Sequence, residues 1–263
     1  MTTLAFHRWG EGSDAVLVHG SLVGGPEHWA AQRPLGEAGY GVLVVDRRGY
    51  GQSPAADGED YLRDADDIVE LLAEQAPGGA HLVGDSYGAI AALYVAARVP
   101  ELVRSVTVME PPAFGIVDDP ACRSMIDRIR QVWEQQHPDD RAFLHALMRA
   151  IGDEPSQVPE PILEMLEGNV PLVRGHRPIW EADPPLEDLA SHGLPVLVVS
   201  GGHHAAFEAV CDAITRELSA RREVIPGAGH QIAVLGDRLN EVLLGFWQHV
   251  EELSADQDPS ALA

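Results

Sequence analysis

Five short apolar runs punctuate the chain: Ala15-Val16-Leu17-Val18-His19, Gly41-Val42-Leu43-Val44-Val45-Asp46, His81-Leu82-Val83, Val103-Arg104-Ser105-Val106-Thr107-Val108-Met109 and Pro195-Val196-Leu197-Val198-Val199-Ser200. Runs this short and this continuously apolar predict strands buried on both faces, as in a parallel sheet covered by helices. Between them the period becomes helical, at residues 29–38, 61–75, 87–98, 205–220 and 238–252. Strand then helix, repeated, predicts an α/β fold with a doubly wound, mostly parallel sheet. The alternation lapses between Pro111 and Pro185, too long a gap for an ordinary crossover. Helical patterns at 121–136, 140–151 and 161–167 fill it. The expected organisation is a core of residues 1–111 and 186–253, a helical cap over 112–185, and a flexible polar tail over 254–263.

The length of 263 residues suits one large domain with such an insertion. Charge adds an exclusion. There are 18 basic residues, all Arg, against 41 acidic ones, for a net charge of −23. No basic stripe is available to neutralise phosphates, so nucleic acid and anionic membrane surfaces are not expected partners. Cys122 and Cys211 have neither metal nor redox spacing and are expected to be reduced thiols. The first nine residues hold no apolar signal core and no run reaches membrane-span length, so a cytoplasmic protein is expected. The pair His203-His204 lacks further ligands at metal-site spacing, so a metal site there is not expected.

The chemistry concentrates in Leu82-Val83-Gly84-Asp85-Ser86-Tyr87-Gly88-Ala89. A buried strand ends, Gly-x-Ser-x-Gly follows and a helix begins. This context places a serine on a sharp turn, its oxygen above the sheet and a helix N-terminus aimed at developing negative charge. Ser86 is the expected nucleophile. The Tyr87 N–H is one expected oxyanion donor. The loop Val18-His19-Gly20-Ser21-Leu22-Val23-Gly24-Gly25 supplies the other, from Ser21 or, failing that, Leu22. His19 is read as structural.

With these pieces in hand, the chain resembles the α/β-hydrolase superfamily over nearly its whole length. The resemblance rests on His19-Gly20, on Asp46-Arg47-Arg48-Gly49-Tyr50-Gly51-Gln52-Ser53, on the turn at Ser86 and on Pro226-Gly227-Ala228-Gly229-His230. It implies an α/β-hydrolase fold, acyl transfer by a Ser–acid–His triad with no metal or organic cofactor, and His230 as general base, in the chain order Ser, acid, His. The family's usual aspartate is missing. After Val196–Val199 the chain reads Ser200-Gly201-Gly202-His203-His204-Ala205-Ala206-Phe207, and the first carboxylate is Glu208. Glu110, which ends the strand after the elbow helix, stands where some haloalkane dehalogenases are similar in carrying their acid. Three arrangements stay open: Glu110 as the acid, a dyad without one, or a carboxylate such as Glu208.

The expected activity is hydrolysis of an ester, lactone or thioester of a small apolar molecule through an acyl-enzyme. Leu22, Trp29, Phe114, Trp133 and Trp180 are candidate pocket residues. A serine at the elbow speaks against chemistry through an alkyl-enzyme ester. A non-hydrolytic enzyme on the same scaffold (cyclase, C–C lyase or cofactor-free oxygenase) and a non-catalytic small-molecule binder remain as alternatives. Oligomeric state is not legible.

Overall fold

The structure, a computed structural model, describes residues 4–256. Among these, seven strands form one sheet: β1 (Phe6–Trp9), β2 (Ser13–Val18), β3 (Tyr40–Val45), β4 (Ala80–Asp85), β5 (Val103–Met109), β6 (Val196–Ser200) and β7 (Arg221–Val224). Their order is β1-β3-β2-β4-β5-β6-β7. Only β1 runs antiparallel to its neighbour; the other pairs are parallel. The five apolar runs became β2 to β6. The edge strands β1 and β7 carry no such run, because edge strands have exposed positions and break the continuous pattern.

The strand alternation divides the core in two. Val16, Val18, Leu43, Val45, Leu82, Val106, Val108, Val196 and Val198 point into one apolar layer. Their sequence neighbours Ala15, Leu17, Val42, Val44, Val83, Leu197 and Val199 point into the other. Successive side chains leave a strand on opposite faces, so burial on both sides is what makes these runs apolar throughout.

The helices follow the expected positions, with one clear departure. Residues 29–38 are not one helix. The chain forms α1 (Gly25–His28), a 3-10 turn at Ala30–Gln32 and α2 (Pro34–Glu37). Pro26 and Pro34 each start a short helix of their own, since proline suits a first turn and breaks an interior. α3 (Tyr61–Gln75) begins at Asp60, whose carboxylate accepts the N–H groups of Leu62 and Arg63. α4 (Tyr87–Arg98) follows the elbow.

Between β5 and β6 lie α5 (Pro120–Glu134), α6 (Asp140–Ile151), α7 (Glu160–Glu167), α8 (Val170–Arg174) and α9 (Leu186–Ser191). Asp119 and Asp139 cap the first two. α8 and α9 are too short for a helical period to register in sequence. α10 (Ala205–Glu217) and α11 (Asp237–Asp256) complete the layers. α11 continues three residues into the stretch expected as a tail; 257–263 lie outside the described residues. Cys122 and Cys211 are buried and free. Among the described residues no helix is long and apolar enough to cross a membrane.

Candidate active site

Ser86 sits between β4 and α4 with φ 49° and ψ −119°. The flanking glycines are needed for space. A β-carbon on Gly84 would lie 2.6 Å from the Ala89 Cα, and one on Gly88 would lie 2.4 Å from the His19 carbonyl oxygen. The register pairs Asp85 with Met109, so Ser86 and Glu110 leave adjacent strands side by side. Glu110 is also left-handed, at φ 41°, as is Leu22 at 74°. Three of the four non-glycine residues with positive φ among the described residues thus gather here. Strain of this kind persists only where the surrounding structure holds it.

The three side chains form a continuous relay. His230 Nε2 lies 3.0 Å from Ser86 Oγ, and His230 Nδ1 lies 2.6 Å from Glu110 Oε2. Glu110 is fully buried, and its Oε1 accepts the Gly201 N–H at 2.7 Å. Burial alone would raise its pKa. The His203 imidazole beside it, hydrogen bonds from His230 and Gly201 and the His230 charge outweigh burial, and the carboxyl is lowered to about 2. Burial likewise disfavours imidazolium at His230, but the bond to Glu110 and its charge prevail and hold the pKa above its ordinary value. Phe207 stacks on the His230 ring at 4.6 Å between centroids, fixing its plane. Glu208 does not reach this site; it pairs with Arg222 at 2.6 Å.

The Asp46–Ser53 turn braces the loop beside the elbow. The Arg47 guanidinium is fully buried and donates to the His19 and Gly20 carbonyls and to Glu59 and Asp64. Burial raises the Asp64 pKa to about 6 in spite of Arg47, because one guanidinium serves two acids. His19 Nε2 accepts the Arg47 N–H, and burial keeps the ring's pKa well below its ordinary value, so it is a neutral strut. The Leu22 N–H is spent on the Tyr50 hydroxyl at 2.9 Å. The Ser21 N–H makes no backbone hydrogen bond among the described residues, and neither does that of Tyr87, the first residue of α4. Of the two loop candidates, Ser21 therefore has the available donor. The loop is close to Ser86: a β-carbon on Gly20 would lie 3.1 Å from Ser86 Cβ.

A cavity of about 480 Å³ opens above Ser86, roofed by side chains of α5, α6 and α7. Leu22, Phe114 and Trp133 line it, as the sequence suggested. Trp29 and Trp180 do not. Trp29 is fully buried in the opposite apolar layer with Leu35 and Trp247, because α1 begins earlier than the sequence pattern implied. Trp180 lies under the Arg130 guanidinium, 5.1 Å away, outside the lining.

Four polar residues here escaped the sequence reading. His203 occupies the stretch where the usual aspartate is missing, and its Nδ1 approaches Glu110 Oε1 to 3.2 Å without hydrogen-bond alignment. Asp85, inside the elbow motif, and His28, at the end of α1, meet beside Ser86 with Oδ2 and Nε2 2.8 Å apart. Glu59 accepts the Ser21 hydroxyl at 2.8 Å. Asp85 was visible as the variable position of the motif; nothing local marked the others. Glu110, His203 and His230 bring one ligand atom each within 4.8 Å of one another and could hold a cation. Such an ion would displace the proton shared by His230 and Glu110 and so compete with the relay.

The comparisons with known proteins agree with this architecture. Residues 15–243 match the model of the alpha/beta hydrolase family. A pimeloyl-[acyl-carrier protein] methyl ester esterase of Aeromonas salmonicida is 34% identical over 119 residues, 44% of this chain and 45% of that protein. The chain thus spans about half the length of the curated relatives it matches. A thermophilic esterase from Thermogutta terrifontis is 25% identical with a TM-score of 0.75, covering 94% of this chain and 93% of that one. A lipase-esterase related protein from Clostridium acetobutylicum, at 18% identity and TM-score 0.74 over 93% of this chain and 99% of its own, shares the fold.

Proposed function

The chain belongs to the alpha/beta hydrolase family, and from that premise we propose that it is a serine hydrolase cleaving an ester-type bond of a small, mostly apolar molecule. The observation that carries this is the relay Ser86–His230–Glu110, at 3.0 and 2.6 Å. The similarity to a thermophilic esterase over 94% of the chain supports it. His230 Nε2 takes the Ser86 hydroxyl proton as Oγ bonds to the carbonyl carbon. Glu110 holds the Nδ1–H tautomer and stabilises the imidazolium that forms. The Ser21 and Tyr87 N–H groups receive the oxyanion. His230 then returns the proton to the leaving alkoxide. A water, deprotonated in turn by His230, releases the acid and restores Ser86.

The helices from α5 to α8 act in this reading as a cap. The cavity volume falls within the roughly 300–1,000 Å³ range of small-molecule sites. Ser86→Ala is expected to abolish hydrolysis of p-nitrophenyl butyrate and to prevent a fluorophosphonate adduct on the protein. Turnover equal to the wild type would sink the mechanism. Incorporation of one oxygen from labelled water into the acid product separates hydrolysis from a rearrangement on the same scaffold.

A further inference from the structure

The cavity has two chemically different ends that meet at Ser86. Under α5, α6 and α7 it is mostly apolar, with Ile129, Leu147, Ile151 and Leu166 facing it beside the acids Asp153 and Glu154 of the α6–α7 connection. Between α1 and the turn after His230 it is polar, with Glu27, His28, Asp85 and Gln231 facing it. That turn, Ile232–Leu235, packs on Ala30–Gln32 and borders this polar recess.

Asp85 dominates the recess. Its side chain is only 4% exposed. Oδ2 touches His28 Nε2, but out of line for a hydrogen bond, and Oδ1 is buried with no hydrogen-bond partner among the described residues. A buried carboxylate oxygen strongly favours an N–H or O–H donor. A β-carbon on Gly20 would lie 3.1 Å from Ser86 Cβ and 3.8 Å from Asp85 Oδ2, so a donor reaching this carboxylate is close to a carbonyl held at Ser86. The same surroundings reject anions. Glu27, Asp85, Asp153 and Glu154 line the cavity together with Glu59, and among the described residues no Arg or Lys does. Arg47 offsets only Glu59, from behind the wall.

Building on the serine-hydrolase reading, we infer that the substrate is an ester whose small polar portion carries a hydroxyl or ammonium donor and no negative charge, with Asp85 and His28 binding that donor and the apolar group lying under α5 to α7. Direct acceptance by a buried carboxylate is worth roughly ten- to a hundredfold in specificity over an analogue lacking the donor.

The test uses paired esters on both sides of the bond. Hexanoate esters of ethanol, ethylene glycol and 2-(dimethylamino)ethanol, whose protonated amine carries an N–H, vary the alcohol. p-Nitrophenyl butyrate, its 3-hydroxy counterpart and p-nitrophenyl hemisuccinate vary the acyl group. On at least one side, the donor-bearing ester is expected to exceed its plain analogue at least tenfold in kcat/KM, with the hemisuccinate at least tenfold below butyrate. Asp85→Asn should collapse the donor preference. Asp85 also helps raise the His230 pKa, but that effect reaches both members of a pair and cancels in the ratio. Calorimetric binding of the same pairs to Ser86→Ala gives a readout independent of turnover. Hydrolysis with pair ratios near one on both sides overturns the inference and leaves the serine-hydrolase reading intact. Equal affinities for each pair in Ser86→Ala overturn it as well. Loss of turnover for every ester, with paired affinities still tenfold apart, sinks the hydrolase reading and keeps the recess.

Discussion

Glu110→Gln tests the relay through its tautomer. The mutant amide is nearly isosteric, and the structure dictates which way it turns. The Gly201 N–H donates to Glu110 Oε1 at 2.7 Å, so that position must remain an oxygen. The amide nitrogen is then forced into the place of Oε2, 2.6 Å from His230 Nδ1. An NH₂ group there donates to Nδ1, which must give up its proton. The proton moves to Nε2, facing Ser86 Oγ at 3.0 Å, and His230 can no longer act as a base. The corresponding Asp→Asn change in a serine protease lowers kcat about 10⁴-fold, or about 5 kcal/mol of barrier, and a loss of that order is expected here. The assay is steady-state hydrolysis of p-nitrophenyl butyrate at pH 8, with a thermal melt to show that the variant folds. A folded variant retaining kcat within about tenfold of the wild type would refute the reasoning. His230 would then work as a dyad without help from the acid.

Two further predictions follow from the same geometry. Because Glu110 raises the His230 pKa, and free imidazole is the active form, the acidic limb of kcat/KM is expected above pH 6.5 in the wild type and lower in Glu110→Gln. A wild-type limb at or below 6.5 contradicts it. Gly88→Ala places a β-carbon 2.4 Å from a carbonyl oxygen and is expected to cost about 3 kcal/mol, a fall of roughly 6–12 °C in Tm. In contrast Gly245→Ala, exposed on α11 with nothing within 4 Å of the new carbon, should gain up to about 1 kcal/mol; equal melts for the two would contradict the packing argument.

What was legible in the sequence was whatever has a local cause. Central strands announce themselves because both faces are buried, so the runs at Val42–Val45 and Val196–Val199 needed no context. The elbow did so because steric demands fall on consecutive residues, Gly84 through Gly88. Glu110 could be nominated only by its place at a strand end. What makes that place work is the register of β4 against β5, which sets Ser86 and Glu110 side by side. The features that escaped are non-local. Trp29 looked like a pocket aromatic, yet the start of α1 at Gly25 carries it to the opposite layer.

His203 illustrates the same point from the other direction. In sequence it marks only the absence of an aspartate. In space it approaches the Glu110 oxygen that faces away from His230. The end of β6 thus carries His203 beside the acid that ends β5. That histidine, with His230 and the Gly201 N–H, surrounds the Glu110 carboxylate with groups that favour its charge, and its lowered pKa follows from that company. A buried acid that stays ionised is what the relay needs, since only the carboxylate form can hold the His230 tautomer and stabilise its imidazolium.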